Sequence, residues 1–402
     1  MTGERLATGE RLATDQRLLV TGERFAVVAG GGTGGHVLQA LAVAKALVAR
    51  GHPARSIELV GSRRGQEASL LAGEGFPLTL LPGRGIVRRL DRAALASDAQ
   101  AVAGLAVAAC WELVDFARRR PRVVVSVGGY ASFPADVAAA LLGIPLVIVN
   151  IDAVPGLVHR MLAGRAAASA VSFPGTRLPR AVVTGTAVRE EIRAVKRTPA
   201  AASAAREALG LPADRRTVCV VSGSLGARRV NLAVVALARR WASRGDVAIY
   251  HVTGHRDWDE VNALAAPSPR SGVPGSGDGE PWYRVVPFER RMALVYEAAD
   301  VMVCRAGAVT VAELAVAGVP AVLVPLPGAP GDHQTANARE LVGAGAAVLL
   351  PDDRCDGAAL DGVLGELLAD EVRLGEMGEA ARALGRPDAA DRVAALVDAH
   401  AR

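Results

Sequence analysis

The segment from Cys304 to Asn337, CRAGAVTVAELAVAGVPAVLVPLPGAPGDHQTAN, has the residue types and order needed to hold a nucleotide sugar. Arg305-Ala306-Gly307-Ala308 carries almost no side-chain bulk where a strand passes to a helix. The amides from Gly307 and Ala308 to Thr310 can therefore approach a phosphate and meet it with the positive end of the helix dipole. Glu313, about one turn into that helix, is placed to accept hydrogen bonds from two ribose hydroxyls. After the next strand, Ala321 to Pro325, the amides of Gln334 and Asn337 and the imidazole of His333 can read the hydroxyls of a sugar. Glycine and alanine alone would favour an ordinary βαβ turn; the ordered addition of Glu313 and Gln334 makes that the weaker reading.

Other stretches carry chemistry of the same kind. Gly30 to Gly35, GGGTGG, satisfies GxGxxG after a strand and before a helix. A dinucleotide site also wants an acid at the end of the second strand, where this chain has Ser62-Arg63-Arg64, with Glu58 inside the strand. The loop suits a diphosphate or a sugar, because its glycines let backbone amides approach without obstruction. His36 follows in the first helical turn, where it can remove a proton from an acceptor hydroxyl; a structural role is about equally favoured on its own terms. Gly128-Gly129-Tyr130 is a further strand-end turn, with Tyr130 either packing or touching an acceptor. Arg189, after the Gly185 turn, suits a diphosphate or the surface. Gly223-Ser224-Leu225-Gly226 is a second phosphate-type loop. Asp257-Trp258-Asp259 matches the DxD of metal-dependent transferases, but it stands in a polar segment without other ligands and reads as surface. Arg84, Ile86, Val87, Arg88 and Arg89 suit either an anionic leaflet or a solvated loop.

The elements that must position these residues alternate. Strands are predicted at Phe25 to Ala29, Ile57 to Gly61, Leu78 to Leu81, Val123 to Val127, Leu146 to Asn150 and Ala170 to Ser172. Helical patterns lie between them, including Val37 to Arg50, Ala93 to Arg119, Pro134 to Leu142 and Val154 to Leu162. Such alternation predicts an α/β chain with parallel sheets covered on both faces. A second βα series restarts at Val218, so two domains are predicted, at 25–190 and 205–385. A linker falls near 189 to 205, and a last helix in 386–402. Residues 1–24, which repeat TGERLA, read as a flexible extension, and 266–281 as a surface loop.

Composition agrees. A chain of 402 residues exceeds one ordinary core. Its 51% hydrophobic and 3% aromatic content fits helices over buried parallel strands. The net charge of +5 comes from scattered arginines and does not imply nucleic acid. Four dispersed cysteines suggest neither zinc nor disulfides, and a reducing cytoplasm is the simplest home. The longest apolar run, Ala101 to Cys110, is about half of a membrane span, so a soluble or peripheral protein is expected.

Taken in order, GGTGGH (Gly31 to His36), VGGYASFP (Val127 to Pro134), AVPGL (Ala153 to Leu157), GTAVR (Gly185 to Arg189), SGSLGARRVN (Ser222 to Asn231), PF (Pro287 to Phe288), RAGAVTVAEL (Arg305 to Leu314) and PLPGAPGDHQTANA (Pro325 to Ala338) resemble the MurG family, the N-acetylglucosaminyltransferases that act on lipid I in peptidoglycan synthesis. The resemblance implies two Rossmann-like doubly wound domains facing a cleft (GT-B architecture), with the last helix returning to the first domain. It implies UDP-GlcNAc as donor substrate. Arg189 and Ser224 would lie at its diphosphate, Glu313 at its ribose, Gln334 and Asn337 at its sugar, with Thr33, Gly34, Gly35, Gly307, Ala308 and Thr310 completing the donor site. An undecaprenyl-diphosphate-linked acceptor would meet Gly31, Gly32, Tyr130, Asp152 and His159. His36 would be the base of an inverting transfer that needs no metal or other cofactor. The expected place is the cytoplasmic face of the cell membrane, peripheral on an anionic surface, with cell-wall synthesis proteins as partners.

The chain departs from that family's pattern on the acceptor side. Val149-Asn150-Ile151-Asp152 stands where HEQN is usual, and Val158-His159 where an asparagine follows LT. Gln39 replaces a proline, and GTAVR replaces GNPVR. The donor half is intact. Lipid I as acceptor, another lipid-linked or natural-product acceptor, and a nucleotide-sugar-binding pseudoenzyme are the readings that follow; an oxidoreductase lacks its ribose acid.

Overall fold

In a computed structural model, described over residues 24–32, 34–63, 70–71, 73–82, 92–223, 226–265 and 282–402, the chain builds two parallel sheets. The first contains β1 (Ala26–Gly30), β2 (Ile57–Ser62), β3 (Leu78–Leu81), β4 (Val123–Gly128), β5 (Leu146–Asn150), β6 (Ala168–Val171) and β7 (Ala181–Val183). The second contains β8 (Arg216–Val221), β9 (Val247–Val252), β10 (Trp282–Val286), β11 (Val301–Cys304), β12 (Ala321–Leu323) and β13 (Ala347–Leu349). The orders are β3-β2-β1-β4-β5-β6-β7 and β10-β9-β8-β11-β12-β13. Strands such as VVVSVG and VMVC are buried throughout and almost wholly apolar because helices cover both faces of each sheet. Strand order reverses between β1 and β4 and again between β8 and β11, and a ligand crevice opens at the carboxyl ends of such pairs. The glycine turns after β1, β4, β8 and β11 therefore sit where the topology leaves room.

The domain boundary differs from the predicted one. The helices Glu190–Arg193 and Pro199–Ala208 pack on helices of the second domain, so most of the segment predicted as linker belongs to that domain. The last helix, Ala389–His400, lies against Gly34–Ala49, β5 and β6 of the first. Arg24, counted with the N-terminal extension, is instead buried and ion-paired with Glu58 and Asp115; residues 1–23 lie outside the described ones.

Two departures from the family pattern turn out to be one device. The Gln39 side chain, 2% exposed, donates from Nε2 to the Ala187 carbonyl (2.6 Å) and accepts at Oε1 from the Ala187 amide (2.9 Å). A proline at 187, as in GNPVR, has no N–H to give, so Gln39 and Ala187 belong together. Gln39→Ala should strand a buried donor and acceptor and lower unfolding stability by about 3 kcal/mol, read from urea denaturation. A loss under about 0.5 kcal/mol would show the pair to be incidental.

Helix Arg92–Arg119 agrees with the predicted Ala93 to Arg119 within a residue, but its largely apolar stretch is longer than the Ala101 to Cys110 run read as half of a membrane span. Its Gln100–Arg119 stretch is long and apolar enough to cross a bilayer by length and composition. Here its inner side packs along Phe133–Leu142 and buries Phe116 and Glu112. Burial, with Glu58 and Asp115 nearby, pushes the Glu112 carboxyl from 4.5 up to about 8. The fold thus holds a proton that the unfolded chain releases near 4.5, so stability falls as pH rises from about 4.5 to about 8 and then levels. Glu112→Gln should remove that slope, stabilising the protein by on the order of 3 kcal/mol at pH 7 and by little at pH 4. Denaturation at the two pH values checks it.

Candidate active site

The first-domain floor is built from two glycine turns in backbone contact. A Cβ on Gly129 would fall 2.1 Å from the Gly31 carbonyl oxygen, and Gly129 has φ 78°, so both space and conformation require glycine. The Gly31 amide donates to the Gly128 carbonyl at 3.3 Å. Tyr130 lies over Gly32 and donates to Ser62 Oγ at 3.2 Å, so its ring braces the loop. Gly34 and Gly35 open the helix Gly34–Ala49, and His36 stands in its first turn. Thr33 lies outside the described residues, as do Ser224 and the basic stretch with Arg84, Ile86, Val87, Arg88 and Arg89.

His36 and His159 flank one point. A Cβ added to Gly128 would lie 3.5 Å from His36 Cδ2 and 3.0 Å from His159 Cε1. Their roles divide by burial. His159, expected at the acceptor surface, is 4% exposed and joined to Ser126 Oγ (3.3 Å) and Asn150 Oδ1 (3.1 Å). Burial lowers its pKa to about 3, so it is a neutral support beneath the Gly128 turn. Ser126 donates to Asp136, whose carboxyl is pushed up to about 7 by burial. His36 is only partly covered; burial lowers its pKa, Asp152 opposes that and His333 adds to it. A neutral imidazole at the cleft is the state that can accept a proton.

Two polar bridges cross the cleft, and both use residues assigned from sequence to the ligand. Asp152 Oδ1 accepts from His333 Nδ1 and from Asn337 Nδ2, each at 2.9 Å. Asn337, fully buried, also donates to the Ala306 carbonyl (3.1 Å) and accepts from the Ala153 amide (2.8 Å). Its amide here joins the domains, and the sugar contact expected of it would have to replace one of these bonds. In the second bridge Glu313 accepts from Arg189 Nε (3.0 Å) and from the Tyr296 hydroxyl (2.9 Å). The diphosphate and ribose candidates are here each other's partners, and a donor must take over bonds they now exchange. Gln334 Oε1 accepts from the amides of Ala306 (3.2 Å) and Leu326 (2.9 Å), shaping the turn that leads into helix Ala308–Ala317. That helix has Gly307 at its N-cap, no side-chain cap and Thr310 in its first turn, leaving amides for an anion.

Sequence reasoning missed the network under the second glycine loop. Asn231, fully buried, accepts from Ser222 Oγ (3.1 Å), pairs with His251 Nε2 (3.0 Å) and donates to the Thr253 carbonyl (2.9 Å) and Asp257 (3.0 Å). Asp257 is 4% exposed and spent there, which corrects its reading as a surface residue. Among the described residues no group of three or more His, Cys, Asp or Glu is placed to share a metal ion. His255 and Phe288 stack at 5.5 Å just beyond β10, and Phe288 is exposed.

The descriptions of glycosyltransferase family 28 N-terminal and C-terminal domains match residues 26–171 and 217–393. The UDP-N-acetylglucosamine–N-acetylmuramyl-(pentapeptide) pyrophosphoryl-undecaprenol N-acetylglucosamine transferase of Nitratidesulfovibrio vulgaris is 42% identical, over 93% of this chain and 96% of that protein. Its counterpart from Acidothermus cellulolyticus is 41% identical over 92% and 96%. The crystal structure of Acinetobacter baumannii MurG superposes with a TM-score of 0.74 at 30% identity, covering 94% of this chain and all of that one. The chain belongs to the MurG family. It is a hexosyltransferase of GT-B architecture, and four of the residues at which this MurG-family chain departs from the usual pattern, Gln39, Asn150, Asp152 and His159, take part in the hydrogen bonds above.

Proposed function

We propose that the chain transfers N-acetylglucosamine from UDP-GlcNAc to the muramyl 4-hydroxyl of undecaprenyl-diphosphate-linked N-acetylmuramyl-pentapeptide, with inversion and without a metal. What supports this is His36 in the first turn of helix Gly34–Ala49, within electrostatic range of Asp152 and of His333 on the second domain, in a chain 42% identical to a transferase named for that reaction. The acceptor oxygen attacks the anomeric carbon while its proton passes to the His36 imidazole. The bond from that carbon to the diphosphate breaks, and its electron pair leaves on UDP. Helix amides and the Arg189 guanidinium offset the charge that develops there. Glu313 receives the ribose hydroxyls once Arg189 turns to the diphosphate, and Gln334 keeps the sugar-side turn in place.

A peripheral site on the inner face of the membrane fits the outer side of helix Arg92–Arg119. Val102, Val107, Trp111 and Val114 are each about half exposed there, and Arg118 and Arg119 end the helix.

A second reading keeps the donor and changes the acceptor. It is favoured by the segment in place of HEQN: Val149 and Ile151 are buried, and Asn150 is bonded to His159 and the Asp152 carbonyl. One assay separates the readings: UDP release from UDP-GlcNAc with a lipid I analogue, with and without anionic vesicles, beside calorimetric donor binding. Release stimulated by vesicles is expected. Binding without release would discard the lipid I assignment and keep the donor site.

A further inference from the structure

Asp152 occupies an unusual position for a carboxylate. It follows β5 in the first domain, where its backbone carbonyl accepts from Asn150 Nδ2 (2.6 Å), yet both hydrogen bonds to its carboxylate come from the second: His333 Nδ1 and Asn337 Nδ2 converge on Oδ1. Oδ2 takes part in neither bond. The next residues continue the seam, with the Ala153 amide on Asn337 Oδ1 and Val154 3.1 Å from a Cβ placed on Gly331. The backbone of Asp152 is held within the first domain, but its carboxylate is oriented by the start of helix His333–Gly343 when that helix is docked there.

Its charge also acts on the imidazole assigned as base. His36 is within electrostatic range of both Asp152 and His333, and Asp152 exerts the larger effect. The remaining titratable groups around the point are His159, neutral and bonded to Ser126 and Asn150, Asp136 behind Ser126, and Asp332 beside His333. None of these supplies a negative charge in direct reach of His36, because Asp136 is screened by Ser126 and Asp332 acts on His333.

We propose that Asp152 is a positioning residue that couples docking of the donor domain to proton removal by His36. When the acceptor O–H proton moves to His36, an imidazolium forms. The Asp152 carboxylate, held at the seam by His333 and Asn337, stabilises it until the proton is passed to solvent. With the seam open, that carboxylate is no longer oriented and the base is weaker, so transfer waits for closure. The inference rests on the transfer reaction proposed above and adds to it the residue that makes the base depend on closure.

The test is the pH dependence of kcat/KM for UDP release with a lipid I analogue, between about pH 5 and 9, where an imidazole titrates. The acidic limb belongs to His36 in the free enzyme. Removing the negative charge with Asp152→Asn should move that limb to lower pH by about half a unit to one unit and drop the plateau on the order of tenfold. Removing the positive one with His333→Gln should move it the opposite way. Asp152→Glu should return the limb towards its original place. Limbs that stay still, or move in the same direction, while rates fall would reduce Asp152 to a structural link and overturn the proposal. If Asp152→Asn does not fold, His333→Gln and Asp152→Glu decide alone. An active wild type with unmoved limbs refutes this inference only; a wild type that releases no UDP refutes it together with the proposed function.

Discussion

Glu313→Ala is expected to weaken UDP-GlcNAc binding by roughly a hundredfold or more, since two hydrogen bonds to a charged group contribute about 1.5–3 kcal/mol each. The side chain is 7% exposed and already holds Arg189 and Tyr296, so it is oriented before a ribose arrives. Its loss would also free the Arg189 guanidinium and strand the buried Tyr296 hydroxyl, so some stability is lost as well. Glu313→Gln separates the two effects: the Tyr296 bond survives, the charge does not, and binding should fall less. Calorimetry on variants whose thermal unfolding has been recorded gives the answer. An unchanged Kd for Glu313→Ala would mean that the Arg189 pair never opens to the donor and that Glu313 is only part of the hinge.

His36→Ala should behave in the reverse way. Turnover should fall by roughly a hundredfold to ten-thousandfold, the range for a positioned general base, while donor affinity stays within a few-fold. The separation follows from place. His36 sits with Gly128 and His159 on the floor of the first domain, whereas Glu313 and Gln334 lie on the second. A rate that survives His36→Ala would remove the imidazole as base and leave water or Asp152 to take the proton.

How much of this could be read from the residues depends on the range of the interaction. Strand runs such as VVVSV and the small-residue turns were legible because period, apolar content and glycine act within a few residues. The two sheets and the four ligand turns follow from them. Glu313 and Gln334 were legible for the same reason, as each has a fixed offset from a turn. Partners across long stretches were not. Nothing near Asp152 points to His333, 181 residues away, or near Gln39 to Ala187, 148 away. Arg24 seemed part of a polar tail until Glu58 and Asp115 met it, and Asp257 seemed solvated until Asn231 covered it.

The segment Cys304 to Asn337 by itself determined a helix start bare enough for a phosphate, an acid one turn on and an amide-rich helix after the next strand, because local sterics and helical period decide those features. The tertiary structure alone decided how these groups are occupied. Docking the second domain on the first brings Arg189 to Glu313 and Asp152 to His333 and Asn337, and buried or half-buried polar groups must find such partners. Which atoms meet across the cleft is a property of the packed chain, and it is there that Asn337 becomes a tie between domains and Asp152 a neighbour of the base.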